Sequence, residues 1–294
     1  MRALVLGAGA GGGFPQWNCS CLRCTGLREG TLAARPRTPA SLAISADGEH
    51  WLLLGATPDV RVQIERTPEL WPHHGGSPIS AVALPNSDIE SWIGLLSLRE
   101  WSPLTIFATS VVRRDISDDN GVFHTLDRFD GHSRFIDLVP NQPAVLRDLT
   151  IEAVPVPGRP PIHQRDRRSA DPLDNVGLVV RDPVAGTSLA WFPSLGGPSP
   201  AIEAALSAVD AVFFDGTFFR DEELIECGRG ELATAMGPWP VADSAAFLER
   251  QPARHKWLVH INNTNPLLVD DGPEVAWLRQ RGIEVAYDGL RLEL

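Results

Sequence analysis

Leu6-Gly7-Ala8-Gly9-Ala10-Gly11-Gly12-Gly13-Phe14-Pro15-Gln16-Trp17-Asn18-Cys19-Ser20-Cys21, with Cys24 three residues on, is the stretch on which the reading of this 294-residue chain turns. It follows an apolar run, Ala3 to Leu6, that has strand character, and Gly7, Gly9 and Gly12 satisfy the G-x-G-x-x-G spacing of a dinucleotide-binding turn. Such a turn needs a helix N-terminus to receive the pyrophosphate. Gly13-Phe14-Pro15 stands where that helix would begin, and glycine with proline breaks it. The run therefore reads as a tight glycine loop that lets the backbone pass close to another group, with the adjacent cysteines as the expected neighbour.

Three of the four cysteines, Cys19, Cys21 and Cys24, fall within six residues, and Cys227 stands alone. The opening Met1-Arg2-Ala3-Leu4-Val5-Leu6 runs into glycines instead of a signal-peptide core and cleavage site, so a cytoplasmic location is expected. In a reducing compartment, thiols this crowded read as metal ligands and not as a disulfide framework. C-x-C and C-x-x-C spacings let a short loop turn its thiolates onto one tetrahedral ion, and zinc suits them in a structural role. Incidental buried thiols are the alternative. A closed zinc site takes four ligands, so a fourth must come from a distant segment, with His260 and the loop after it as candidates.

A formal charge of −11 without any long Lys/Arg run argues against nucleic acid, whose affinity depends on clustered positive charge. No run approaches the roughly 20 apolar residues of a membrane span. Neither a repeat nor a low-complexity linker divides residues 1–294, so a single domain is expected. Apolar runs bounded by turn residues predict strands at Ala3–Leu6, Ser41–Ser45, His50–Leu54, Ala81–Leu84, Leu104–Ala108, Leu149–Val156, Val176–Val180, Ser188–Phe192, Ala211–Phe214 and Lys256–His260. A hairpin over Ile283–Leu294 closes the series. Helices are predicted at Pro58–Arg66, Ile89–Leu98, Ala201–Ser207, Val241–Arg250 and Pro273–Arg281, the fourth with Asp243 and Ser244 near its start. Two strand-rich halves with flanking helices predict an α/β sandwich whose rim loops form the site. Pro155 to Pro172, with five prolines and four arginines, reads as a surface loop over that rim.

The glycine–cysteine run, with Arg28-Glu29-Gly30, resembles the N-terminal signature of the pyrroloquinoline quinone biosynthesis protein B (PqqB) family. The likeness continues through Ala56-Thr57-Pro58-Asp59, Gly94 to Glu100, Asp174-Asn175-Val176-Gly177-Leu178, Asp215-Gly216-Thr217, Asp221-Glu222 and Met236-Gly237. It ends with His260 to Pro266 and Tyr287-Asp288-Gly289, in order along nearly the whole chain. The resemblance implies the αββα sandwich of the metallo-β-lactamase superfamily and a place in the synthesis of a peptide-derived redox cofactor. Its implied activity is iron-dependent hydroxylation of a tyrosine; transport of the cofactor or its precursor is the other role associated with the family. A peptide-derived or small-molecule precursor and other pathway enzymes are the implied partners.

Many enzymes of that fold carry H-x-H-x-D-H after a strand, where imidazoles and a carboxylate hold metal against an activated water. Here that segment reads Asn86-Ser87-Asp88-Ile89-Glu90-Ser91, without a histidine. The family keeps a final Asp-His pair, for which Glu90 is a conservative stand-in and Ser91 is not. Its Met-Gly-His is Met236-Gly237-Pro238 here. Asp215 and His260 remain, so the candidate catalytic residues are Glu90, Asp215 and His260, one imidazole short of a two-His-one-carboxylate iron centre. His163 on the proline-rich loop is a candidate replacement. Asp215, at the end of an apolar strand, either binds metal or is satisfied by hydrogen bonds, and both readings stay open. Asn262 to Pro266 offers amides and a hydroxyl of the kind turns use.

Three functions follow. The first is a PqqB-like hydroxylase or oxygenase with metal at Asp215, His260 and Glu90. The second is a pseudoenzyme that binds a precursor or partner in the old cleft, where Trp92, Phe218, Phe219 and Trp239 would line the surface. A metal-dependent hydrolase is the third, and it is disfavoured by the loss of histidines between Asn86 and Ser91.

Overall fold

Leu42, Ala43 and Ile44 are all buried, as are Leu52, Leu53 and Leu54, so these strands meet apolar neighbours on both faces. The computed structural model describes residues 1–73, 76–100, 103–118, 121–128, 133–228 and 230–294. Its strands are β1 (Arg2–Gly7), β2 (Ser41–Ser45), β3 (Trp51–Leu54), β4 (Ile79–Ala83), β5 (Leu104–Ala108), β6 (Ser133–Asp137), β7 (Ala144–Leu146), β8 (Leu149–Pro155), β9 (Val176–Asp182), β10 (Thr187–Phe192), β11 (Ala211–Asp215), β12 (His255–Val259), β13 (Glu284–Val285) and β14 (Arg291–Glu293). They form two seven-stranded sheets, ordered β14-β1-β2-β3-β4-β5-β6 and β13-β12-β11-β10-β9-β8-β7. In the first sheet β3 to β6 run parallel, and in the second β10 to β13 do.

Parallel neighbours need crossovers, and helices supply them. They are α1 (Leu22–Glu29), α2 (Val60–Glu65), α3 (Ile89–Trp92), α4 (Ser110–Ser117), α5 (Pro200–Leu206), α6 (Glu223–Glu226), α7 (Ala233–Met236), α8 (Val241–Glu249) and α9 (Pro273–Arg279). Three cores result. Val5, Leu42, Ile44 and Phe107 of one sheet face Ile151, Leu178, Trp191 and Phe213 of the other. On the outer faces, Ala43, Leu53 and Ile106 pack with Val60, Trp92, Leu95 and Val112, while Val212, Phe214 and Leu258 pack with Ile202, Leu248 and Leu278. Leu42 and Ala43 thus enter different cores, as a period of two requires. Four layers, αββα, are the architecture the resemblance implies.

Most boundaries agree with the sequence reading to within two residues, and the exceptions have local causes. The predicted closing hairpin is two strands in different sheets: β13 pairs with β12 and β14 with β1. Between them Asp288 binds the glycine loop, its carboxylate accepting from Ala8 N (2.9 Å), Thr38 N (2.8 Å) and Thr38 Oγ1 (2.8 Å). What reads as a turn is therefore a corner between sheets. The predicted helix Ile89–Leu98 is α only to Trp92 and continues as a 3-10 helix from Ile93. At Val241, Asp243 and Ser244 make no cap, because Pro240 holds the N-cap position. Strands β6 and β7 and helices α1, α6 and α7 carry too little apolar periodicity to be predicted; α4 is amphipathic, burying Val111, Val112 and Ile116 behind a Thr109 cap, and is missed although its signal is present.

The glycine loop also has different neighbours from those expected. Gly9 N donates to Thr38 O (2.8 Å) and Ala10 N to Ile261 O (2.9 Å), and a Cβ on Gly11 would lie 2.8 Å from the Glu90 carboxyl carbon. The residue that needs the glycine is Glu90, not a cysteine. The first helix begins at Leu22, nine residues after Gly13, so the glycine run does not lead into a helix N-terminus.

Candidate functional site

Parallel strands deliver their carboxyl ends to one edge of a sheet, the usual place for a ligand in open α/β folds. At that edge lies a cavity of about 400 Å³. Asp215 is the last residue of β11, His260 follows β12 directly, and Asp88 and Glu90 lie at the start of α3, after β4. His260 has φ +59°, an uncommon backbone for a non-glycine residue and one that functional sites often hold.

Asp215 is fully buried, and every contact it makes is a donor. Its Oδ1 accepts from Thr217 N (2.8 Å) and Thr217 Oγ1 (2.6 Å), and its Oδ2 from Leu195 N (3.1 Å). The Thr217 hydroxyl has one proton and gives it to Asp215, so its 2.8 Å contact with His260 Nδ1 requires Nδ1–H to donate. That leaves Nε2 facing Glu90 Oε1 at 3.8 Å. Burial pushes the Asp215 carboxyl above its ordinary value, against the pull of His260 and the Thr217 hydrogen bonds. Burial alone would favour the neutral forms of Glu90 and His260, but their mutual contact outweighs it: the carboxyl falls below its usual value and the imidazole rises above its own. Asp88, desolvated and beside the Glu90 charge, is pushed up to about 6.

The positions where the fold's histidines would stand are filled by an internal bond. Ser91 Oγ donates to Asn86 Oδ1 at 2.7 Å, and Asp88 N donates to the same oxygen at 3.2 Å. Pro238 lines the cavity without offering a ligand atom. His163 is exposed and does not line the cavity, so it does not replace a lost imidazole. Of the aromatic candidates only Phe218 lines the cavity; Trp92 belongs to one outer core, and Phe219 and Trp239 to the other. Among the described residues, Cys19, Cys21 and Cys24 alone bring three His, Cys, Asp or Glu ligand atoms within 4.8 Å of one another. Glu90 and His260 line the cavity, whereas the fully buried Asp215 lies behind it and reaches His260 through Thr217.

The cysteine cluster is a separate construction. Cys21 caps α1 and Cys24 lies in its first turn, while Cys21 N points to Cys19 Sγ at 3.5 Å. Arg28 closes the knuckle by donating to Cys19 O and Gln16 O, both at 2.5 Å. Asn263 supplies the distant contact: its amide nitrogen lies 3.1 Å from Cys19 Sγ, 3.5 Å from Cys24 Sγ and 3.9 Å from Cys21 Sγ. His260, the other candidate for this position, is committed to the cleft. Asn263 Oδ1 is buried without a hydrogen-bond partner among the described residues. Burial pushes the Cys24 thiol up to about 11, against the hydrogen bonds from Gln16 and Asn263.

Sequence reasoning missed Asp88, Thr217 and the cavity-lining Arg159 and Arg165, whereas Asn263 lies in the loop after His260 that it offered for the fourth ligand. Thr217 carried a usable signal, a hydroxyl two residues after a strand-end carboxylate, which is the spacing of a local side-chain turn.

Residues 50–261 match the model of the beta-lactamase superfamily domain. Coenzyme PQQ synthesis protein B from Pseudomonas paraeruginosa is 39% identical and that from Azoarcus sp. 40%, each with all of both chains covered. The crystal structure of Zn(2+)-bound PqqB from Methylobacterium extorquens superposes with a TM-score of 0.94 at 37% identity, covering all of both chains. A diphosphatase of the PhnP family, at 19% identity and a TM-score of 0.71, shares the fold. The likeness runs the whole length of the chain in sequence and in fold, and the chain belongs to the coenzyme PQQ synthesis protein B family of the metallo-β-lactamase superfamily.

Proposed function

We propose that this chain serves the synthesis of pyrroloquinoline quinone, or of a related peptide-derived product, by receiving a precursor in the cleft, with structural zinc in the knuckle and no resident metal at the cleft floor. One observation carries the reading: the cleft keeps a single imidazole, and its buried carboxylate, Asp215, is turned onto Thr217 and Leu195 and not toward the cavity. Both Asp215 oxygens and His260 Nδ1 are engaged through Thr217 and Leu195, and Asn86 is bonded to Ser91. Iron does not fit this set, because a second imidazole is lacking and Asp215 lies outside the cavity lining, behind Thr217. The hydrolase reading fails on the same count of imidazoles.

Zinc does fit the knuckle. Cys19, Cys21 and Cys24 would hold it, and a half-turn of the Asn263 amide would offer the unpartnered Oδ1 as the fourth ligand. The ion would cross-link α1 to the loop after β12. In the cleft, Glu90 and His260 would orient the precursor as an ion pair, and Thr217 holds the imidazole with Nδ1 protonated. Metal analysis of protein purified without air tests the proposal: about one zinc per chain and no iron is expected, with precursor bound but not turned over. One iron per chain with oxygen-dependent hydroxylation would overturn it in favour of the hydroxylase that the family resemblance implies, with Glu90, Asp215 and His260 as its residues.

A further inference from the structure

Three arginines on the loop from Pro155 to Pro172 have different fates. Arg168 is consumed by two buried acids: it donates to Asp115 Oδ2 (2.6 Å) and makes a two-pronged contact with Asp174 (2.5 and 3.1 Å). Arg159 and Arg165 line the cavity instead, and neither has an acid within salt-bridge distance among the described residues. Arg165 spends only Nε, donating to Pro160 O at 3.2 Å, which leaves both terminal nitrogens available.

The backbone under these two side chains is pinned. Asn175 Nδ2 donates to Arg159 O (2.8 Å), Gly196 N to Pro157 O (2.6 Å) and Gln164 N to Pro161 O (2.8 Å). Gly158 packs so closely on Asn175 that a Cβ there would come within 2.6 Å of its amide nitrogen. The loop is thus a braced platform, and it carries two unpaired guanidiniums into the cleft of a chain whose net charge is −11. Asp88, Glu90 and His260 line the same cavity, and Arg165 is near enough to act on the Asp88 charge without forming a salt bridge to it.

We propose that Arg159 and Arg165 form a carboxylate-binding subsite that orients the cleft ligand with its acidic groups toward the proline-rich loop and away from Glu90. The planar guanidinium fork matches a carboxylate in two parallel hydrogen bonds, which a lysine could not reproduce. The assignment rests on the reading that the cleft receives a pathway molecule.

Pyrroloquinoline quinone, a tricarboxylic acid, and its uncharged trimethyl ester are suitable probes, with binding followed by tryptophan fluorescence on the full chain. Wild-type protein should bind the acid at least about tenfold more tightly than the ester. R159A and R165A should each weaken acid binding by about tenfold, and the double variant by about a hundredfold, as expected for charge-assisted bonds. Ester binding should not change. R159K and R165K should recover only part of the loss, and R167A, exposed on the same loop outside the cavity, should behave as wild type. Acid binding that survives in R159A/R165A overturns the subsite and leaves the cleft reading standing. No saturable binding of either probe to wild-type protein overturns the cleft reading, and the subsite with it.

Discussion

Replacing Thr217 with valine keeps the shape of the side chain and removes the atom through which Asp215 and His260 communicate. Two interactions disappear: the 2.6 Å bond donated to a fully buried carboxylate, and the acceptor for His260 Nδ1–H at 2.8 Å. A hydrogen bond to a charged group contributes about 1.5–3 kcal/mol, and a buried donor left without an acceptor costs about 1–3 kcal/mol. Asp215 keeps two backbone donors, so a total near the lower end, about 3–4 kcal/mol, is expected. With an unfolding entropy of about 2.1 cal/mol/K per residue over 294 residues, that loss lowers the Tm by about 5–7 °C. Calorimetry at pH 7 on T217V and T217S measures it. The serine variant retains the hydroxyl and should fall by no more than about 2 °C, since it loses one buried methyl. If T217V melts within 2 °C of wild type, or T217S falls as far as T217V, the hydroxyl does not bridge the two groups and the Nδ1–H assignment fails.

The other expectations each isolate one feature. Asp88, raised to about 6, is charged in the unfolded chain from about pH 3.8 upward but resists charging when folded, so it costs stability progressively across that window. D88N should therefore stabilise the protein at pH 8 by about 1–2 kcal/mol, discounted for the partial exposure of the residue, and have no effect at pH 3.5; urea titrations at both pH values would expose a wrong sign. The raised imidazole and lowered carboxyl of the His260–Glu90 pair predict stability that is present between about pH 4.5 and 6.5 and fades as pH rises through the folded value of His260. In H260Q that fading should be absent from denaturation measured between pH 6 and 9. R168A leaves Asp115 and Asp174 buried without their cation and should cost about 3–5 kcal/mol; an unchanged melting temperature would show that the loop is not braced there. C24S should lose the bound zinc and become insensitive to chelators in thermal melts, and retention of one zinc per chain would refute the knuckle assignment.

How far these features could be read from the chain depended on where their partners lay. Leu42 to Ile44 and Ala211 to Phe214 declare themselves because strands buried on both faces leave uninterrupted apolar runs. The cysteine trio declares itself because its ligands are local. Ser133–Asp137, by contrast, is a half-buried edge strand with polar ends, and no periodicity marks it. The closing segment misleads because the pairing of β14 with β1 spans nearly the whole chain, and a turn sequence does not say which sheet receives the strand after it. For Arg159 and Arg165, composition shows an arginine-rich loop but not which guanidiniums are spent on buried acids.

The segment from Asn262 to Asn265 carries the point furthest, since its polar residues read as turn formers and each has a separate structural task. Asn262 lines the cleft, its N donates to Thr217 O at 3.1 Å, and its amide donates to Thr264 Oγ1 at 2.6 Å. Asn263 meets the three sulfurs. Thr264 passes its proton to the buried Glu223 at 2.5 Å, and its carbonyl accepts from Arg23 of α1 at 2.7 Å. Asn265 donates to Gly216 O and Thr217 O, fixing the turn that satisfies Asp215. His260 is therefore held through Thr217 on one side and, two residues on, by a segment anchored to the knuckle on the other. Because a buried polar group without a partner is costly, each of these residues is matched to an atom far away in sequence. That explains why a polar run looks generic until its neighbours are known, and why the knuckle and the cleft share one length of backbone while using different chemistry.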